Sequence, residues 1–136
     1  MKSQIFINLP VKNLQQSLDF YTKMGFTNNP QFSDDSAKCM VFSEEIYVML
    51  LTHERFKTFI VKPISDTANS TPLLLSLSVD SVERMNTIVQ QALTAGGKEP
   101  MPAKDHGFMQ QRTLEDMDGH IWEIFYMDLS KFPGNA

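Results

Sequence analysis

Apolar residues recur at every second position in the segment IFINLPV, through Ile5, Ile7, Leu9 and Val11, and the spacing then lengthens over Leu14, Leu18, Tyr21 and Met24. The first period fits a strand with one buried face and the second fits an amphipathic helix. The same succession returns in LLLSLSVDSVERMNTIVQQALTAGG, with Leu73, Leu75, Leu77 and Val79 at period two, then Val82, Met85, Ile88, Val89 and Leu93 at helical spacing. Placing Leu9 on Leu77 also aligns Val11 with Val79 and Leu14 with Val82, a shift of 68 residues in a chain of 136. Asn13 and the pair Asp80–Ser81 fall where helix N-caps belong.

Short strand-like segments follow each helix: Thr27–Phe32, Lys38–Ser43 and Ile46–Thr52 in the first half, Lys98–Ala103, Gly107–Leu114 and His120–Met127 in the second. Each half therefore reads βαβββ. A short helix is expected within THERFKTFI, and KPISDTANSTP has the composition of a connecting loop. A half of this size would bury too little apolar surface to stand alone. The expectation is one α+β domain spanning 1–136, with a first module over about 1–61, a linker over 62–72 and a second module over about 73–128.

Composition narrows the function classes. Twelve Lys and Arg against sixteen Asp and Glu give a net charge of −4, with no basic stripe, which argues against nucleic acid as a partner. Cys39 is the single cysteine, so neither an intrachain disulfide nor a thiolate metal cluster can form within one chain, as suits a reducing cytoplasm. The opening MKSQIFINLPVKNL has too short an apolar run for a signal peptide, and no stretch approaches the ~20 apolar residues of a membrane span.

One residue breaks the apolar pattern near the end of the chain. In EDMDGHIWEIFYM, Glu123 lies between Trp122 and Ile124, and strand alternation puts it on the same face as Ile121 and Phe125. A carboxylate taken out of water needs a metal, a basic side chain or a ligand as its partner. The basic partner within reach of sequence reasoning is Arg112, which faces Glu123 across the hairpin if residues 115 and 120 pair.

The tandem βαβββ pattern, with NLPVKNLQQSLDFYTKMGF opening the first half and DHGFMQQRTLEDMDGHIWEIFYMD closing the second, resembles the vicinal oxygen chelate superfamily. That superfamily holds glyoxalase I, extradiol dioxygenases, fosfomycin-resistance transferases and bleomycin-binding proteins. In these motifs the chain looks like the branch labelled predicted lactoylglutathione lyase. The resemblance implies two modules forming a curved, cup-shaped mixed sheet with the helices outside, a small-molecule ligand and a homodimer. In metal-dependent members a ligand stands on the first and last strand of each module, which here means Phe6, Met49, Leu74 and Glu123. Phe and Leu offer no lone pair and a Met thioether is soft, so the divalent metal the resemblance implies is not expected here, and no other cofactor is.

Alternation alone gives the same face. If Ile5, Ile7, Leu9 and Val11 pack beneath the helix, Phe6 and Asn8 point the other way, as do Leu74, Ser76 and Ser78 in the second half. The expected ligand surface comprises Phe6, Asn8, Tyr47, Met49, Leu74, Ser76, Arg112 and Phe125, with Glu123 as its carboxylate. Two functions suit it: a binding protein for a small, partly apolar ligand, or a glyoxalase-like lyase or isomerase using Glu123 as general base and Arg112 or backbone amides as electrophile. An extradiol dioxygenase would need two His and a carboxylate at one site. His53, ending the fourth strand, and His106, in a loop before Gly107, are the two imidazoles that could stand in for missing ligands. His120 reads as a turn or surface residue and Cys39 as a buried, inert thiol.

Overall fold

The computed structural model describes residues 2–132, and the chain divides into two compact units between Ser70 and Thr71. The first unit runs β1 (Ile5–Val11), α1 (Leu14–Met24), β2 (Thr27–Asn29), β3 (Ala37–Val41) and β4 (Ile46–Thr52), then a short α2 (His53–Lys57). The second runs β5 (Leu74–Ser78), α3 (Val82–Thr94), β6 (Lys104–Asp105), β7 (Met109–Glu115) and β8 (Ile121–Met127). Each unit is thus a βαβββ module, and each sheet is open, curved and four-stranded, in the order β1-β4-β3-β2 or β5-β8-β7-β6. In both, the first strand runs parallel to the last and the remaining pairs are antiparallel.

The helices start and stop where local chemistry directs. Asn13 Oδ1 accepts from the Gln16 N–H at 3.0 Å and Ser81 Oγ from the Arg84 N–H at 3.0 Å, satisfying amides that the first helical turn leaves without partners. Gly25, at φ 110°, ends α1 in the left-handed conformation that costs glycine least, and the Phe26 N–H closes back on the Tyr21 carbonyl.

Each helix covers one face of its own sheet. In the first module Phe20, Tyr21 and Met24 of α1 are buried, as are Leu9, Val11, Met40, Val48 and Leu50 of the strands. Tyr21 also stands edge-on to Phe26, at 5.6 Å and 87°. In the second module Met85, Ile88, Val89 and Ala92 of α3 are buried along with Leu77, Leu114, Trp122 and Ile124. Leu9 and Leu77 occupy matching places, on first strands beside Leu50 and Ile124 of the last.

Two strand expectations shift. The segment expected as a strand over Lys98–Ala103 contributes only an isolated bridge from Lys98 to Glu115, and the outer strand is Lys104–Asp105. Pro100 and Pro102 lack the N–H groups a ladder requires. The strand expected over Thr27–Phe32 stops at Asn29, because Pro30 opens a short 3-10 turn whose Gln31 N–H bonds to the Asn29 side chain at 3.0 Å. Among the described residues no helix is long and apolar enough to cross a membrane.

Candidate functional site

The face of each sheet turned away from its helix is built in cross-strand rows, because directly paired residues point to the same side. In the second module the rows are Leu74–Ile121–Glu115, Ser76–Glu123–Thr113 and Ser78–Phe125–Gln111. In the first they are Phe6–Tyr47–Val41, Asn8–Met49–Cys39 and Pro10–Leu51–Ala37. The pairing therefore puts Asn8, Met49 and Cys39 in the place of Ser76, Glu123 and Thr113. Of the residues expected to form the ligand surface, Phe6, Asn8, Tyr47 and Met49 share the open face of the first sheet, while Leu74, Ser76, Glu123 and Phe125 share that of the second.

Glu123 is half-buried at the centre of its face. Ser76 Oγ donates to Glu123 Oε2 at 3.5 Å, the outer limit of a hydrogen bond, and among the described residues no cation pairs with it. Phe6 and Tyr47 stack with ring centroids 4.4 Å apart and planes 14° apart, although Phe6 keeps 47% of its surface exposed. Gln4 Nε2 donates to the Tyr47 hydroxyl at 3.0 Å and fixes that ring from beyond the strand.

Arg112 lies elsewhere. The hairpin between β7 and β8 turns through Met117, Asp118 and Gly119, with Asp116 and His120 joined by a backbone bond of 3.0 Å, so Glu115 pairs with Ile121 rather than with residue 120. The register differs by one residue from the expected one, which moves Arg112 to the helix side, opposite Ile124. There its Nε and Nη2 each donate to Glu99 at 2.8 Å and its Nη1 donates to Asn86 at 3.1 Å. This fork holds the Glu99 carboxyl below its usual range and raises the guanidinium above its own. The cluster lines a cleft of about 280 Å³ on that side, together with Met85, Lys104 and Gln110. Sequence reasoning missed Glu99 because it lies on an irregular segment and reaches Arg112 through tertiary structure, which periodicity does not report.

The imidazoles are scattered. His106 is exposed, with its backbone N–H donating to the Met109 carbonyl at 2.7 Å, and His53 begins α2. His120 belongs to the turn but is buried rather than at the surface, and its backbone N–H donates to Asp116 Oδ1 at 2.8 Å. Cys39 is buried, and burial pushes its thiol above the ordinary value. Among the described residues no three His, Cys, Asp or Glu side chains gather into a group that could hold a metal ion.

Comparison with known proteins agrees with this architecture. The family model for the Glyoxalase/Bleomycin resistance protein/Dioxygenase superfamily matches residues 4–124. The chain belongs to this superfamily. A hypothetical protein from S. aureus is 23% identical with a TM-score of 0.76, covering 93% of this chain and 95% of its own. A glyoxalase/bleomycin resistance protein/dioxygenase family enzyme from Burkholderia phytofirmans PsJN is 16% identical with a TM-score of 0.75, covering 93% and 99%. The fosfomycin resistance protein FosX from Mesorhizobium loti is 11% identical with a TM-score of 0.69, covering 96% of each chain. At these identities the likeness is one of fold. No curated protein is significantly similar to the chain.

Within this glyoxalase-superfamily protein, the positions where metal-dependent relatives are expected to carry ligands do not suit a divalent cation. Phe6 is committed to its stack on Tyr47, Met49 offers a thioether, and Leu74 is a 54% exposed hydrocarbon, which leaves Glu123 as the one hard donor.

Proposed function

We propose that this superfamily member binds a small, partly apolar organic ligand without a metal, using Glu123 to anchor the polar end of the ligand. The supporting observation is the half-buried Glu123 carboxylate at the centre of an open sheet face, with a long contact to Ser76 and no basic partner among the described residues. Leu74, Ser76 and Phe125 are the contacts on that face, and Phe6, Asn8, Tyr47 and Met49 make the ligand-facing surface of the first module. Arg112, engaged by Glu99 on the reverse side of the second sheet, is not among the Glu123 contacts.

The same placement weakens the lactoylglutathione-lyase reading. Glu123 as general base would need an electrophile for the enediolate, and of the two expected, Arg112 lies behind the sheet and the backbone amides are left. We therefore favour binding over catalysis. A small-molecule partner rather than nucleic acid, a cytoplasmic setting and a homodimer complete the proposal. The net charge of −4, the single Cys39 and the exposed apolar Ile5 and Leu73 support these in turn.

A thermal-shift screen of small carbonyl, thioester, aromatic and amine compounds tests the reading. A true ligand raises the melting temperature of the wild-type protein and binds Glu123→Gln roughly tenfold or more weakly, as expected for a lost charge-assisted bond. A ligand that binds both proteins equally well would remove Glu123 from the site. Elemental analysis of the purified protein should find no stoichiometric Zn, Ni, Mn or Fe, whereas chelator-removable metal coordinated by Glu123 would overturn the metal-free proposal.

A further inference from the structure

We infer that the ligand carries a positive charge, as an amine, amidinium or guanidinium group on an apolar body, and that this group sits on Glu123. The inference rests on the ligand-binding reading above and adds the chemical class. It follows from the charges that share the second sheet's open face. Glu123 holds the middle row, and Glu115 stands one strand over in the neighbouring row, a diagonal of about 7–8 Å that adds a second negative charge to the same field. The cations are placed further out. Lys98 is bridged to Glu115 on the margin, Lys104 pairs with Gln111 on the outermost strand, and neither forms an ion pair with Glu123. Arg112 directs its guanidinium to Glu99 on the reverse face.

The residues on either side of Glu123 along this face sharpen the preference. Ile121 and Phe125 are its same-face neighbours on β8, so a ligand seated there replaces water around the carboxylate with hydrocarbon and an aromatic ring. Excluding water strengthens attraction to a cation and repulsion of an anion alike. The ring of Phe125 favours a cation as well, through its quadrupole. A phosphonate or a glutathione thioester, whose carboxylates outnumber its amine, meets the wrong sign at Glu123 in the central row and at Glu115 beside it, and finds Lys98 and Lys104 at the margin of the face.

Two probes of one shape and opposite charge decide the matter: phenylbutylamine and phenylbutyrate, titrated into the isotopically labelled full chain and followed by amide NMR. The amine should move the resonances of Ser76, Thr113 and Glu123 and bind about tenfold tighter than the acid. Glu123→Gln should erase that gap, and raising the salt from about 50 to about 500 mM should narrow it in the wild-type protein. If the acid moves the same resonances as tightly as the amine, the charge inference fails while the binding reading stands. If neither probe moves them, both fail. A gap that survives Glu123→Gln, or that ignores salt, also overturns the inference.

Discussion

The two modules share an architecture, and their central open-face rows differ in chemistry. On the helix side the matched positions stay apolar: Leu9 and Leu77, Leu50 and Ile124, Phe20 and Tyr21 against Ile88 and Val89. On the open side the central row reads Asn8–Met49–Cys39 in the first sheet and Ser76–Glu123–Thr113 in the second. The matched helix-side positions are closed by close packing, where a polar substitution costs several kcal/mol, so they hold their character. The open side is packed only in part, with Cys39, Leu51 and Thr113 buried and Phe6, Asn8 and Ser76 exposed. On the reading proposed above, the Glu123 carboxylate reflects what the face meets rather than how the module folds.

The largest effects should come from breaking the side the modules share. Phe20→Ala and Trp122→Ala each remove a large, fully buried side chain from beneath a helix and should each cost about 3–5 kcal/mol in urea unfolding, enough to prevent folding in a marginal protein. If the two losses differed greatly, with Trp122→Ala costing under about 1 kcal/mol, the two helix-side cores would not be equivalent in energy. That result would confine the likeness to topology.

An intermediate effect is expected where the second module has something the first lacks, the Arg112–Glu99 fork. Its side chains are 18% and 21% exposed, so Arg112→Met should cost about 1–3 kcal/mol, partly offset by the apolar contacts the new side chain makes. The Glu99 carboxyl is held low in the folded state by its bonds to Arg112. Its contribution is therefore complete above the unfolded value near ~4.3 and is lost as pH falls through the folded value. Glu99→Gln should accordingly destabilise the protein most at neutral pH, and its melting curve should converge on that of the wild type in acid. A difference that grew on acidification would contradict the fork.

How much of this was legible in the sequence follows the same division. Period two, helical spacing and N-caps at Asn13 and within Asp80–Ser81 mark the elements that helix-side burial controls, and the caps fall on Asn13 and Ser81. Alternation also assigns Phe6, Asn8, Ser76 and Glu123 to open faces, since each strand has only two sides. What escaped was set by a turn and by tertiary contact. The loop through Met117, Asp118 and Gly119 shifts the hairpin register by one residue and carries Arg112 to the reverse face, and Glu99 meets it from a proline-rich segment that has no period to read.

The smallest expected change in stability is also the one that separates function from folding. Glu123→Gln keeps shape and hydrogen-bonding capacity while removing a charge that no described cation balances, so its unfolding free energy should stay within about 0.5 kcal/mol of the wild type. Relief of the repulsion from Glu115 on the same face acts in the variant's favour. Its counterpart in the first module, Met49→Leu, conserves volume and should likewise cost under about 1.5 kcal/mol. The two variants should part on ligand binding, where Glu123→Gln loses charge-dependent affinity and Met49→Leu retains it. A Glu123→Gln protein destabilised by several kcal/mol would show instead that the carboxylate serves the fold, through a partner outside the described contacts, and the contrast between the two open faces would then be structural.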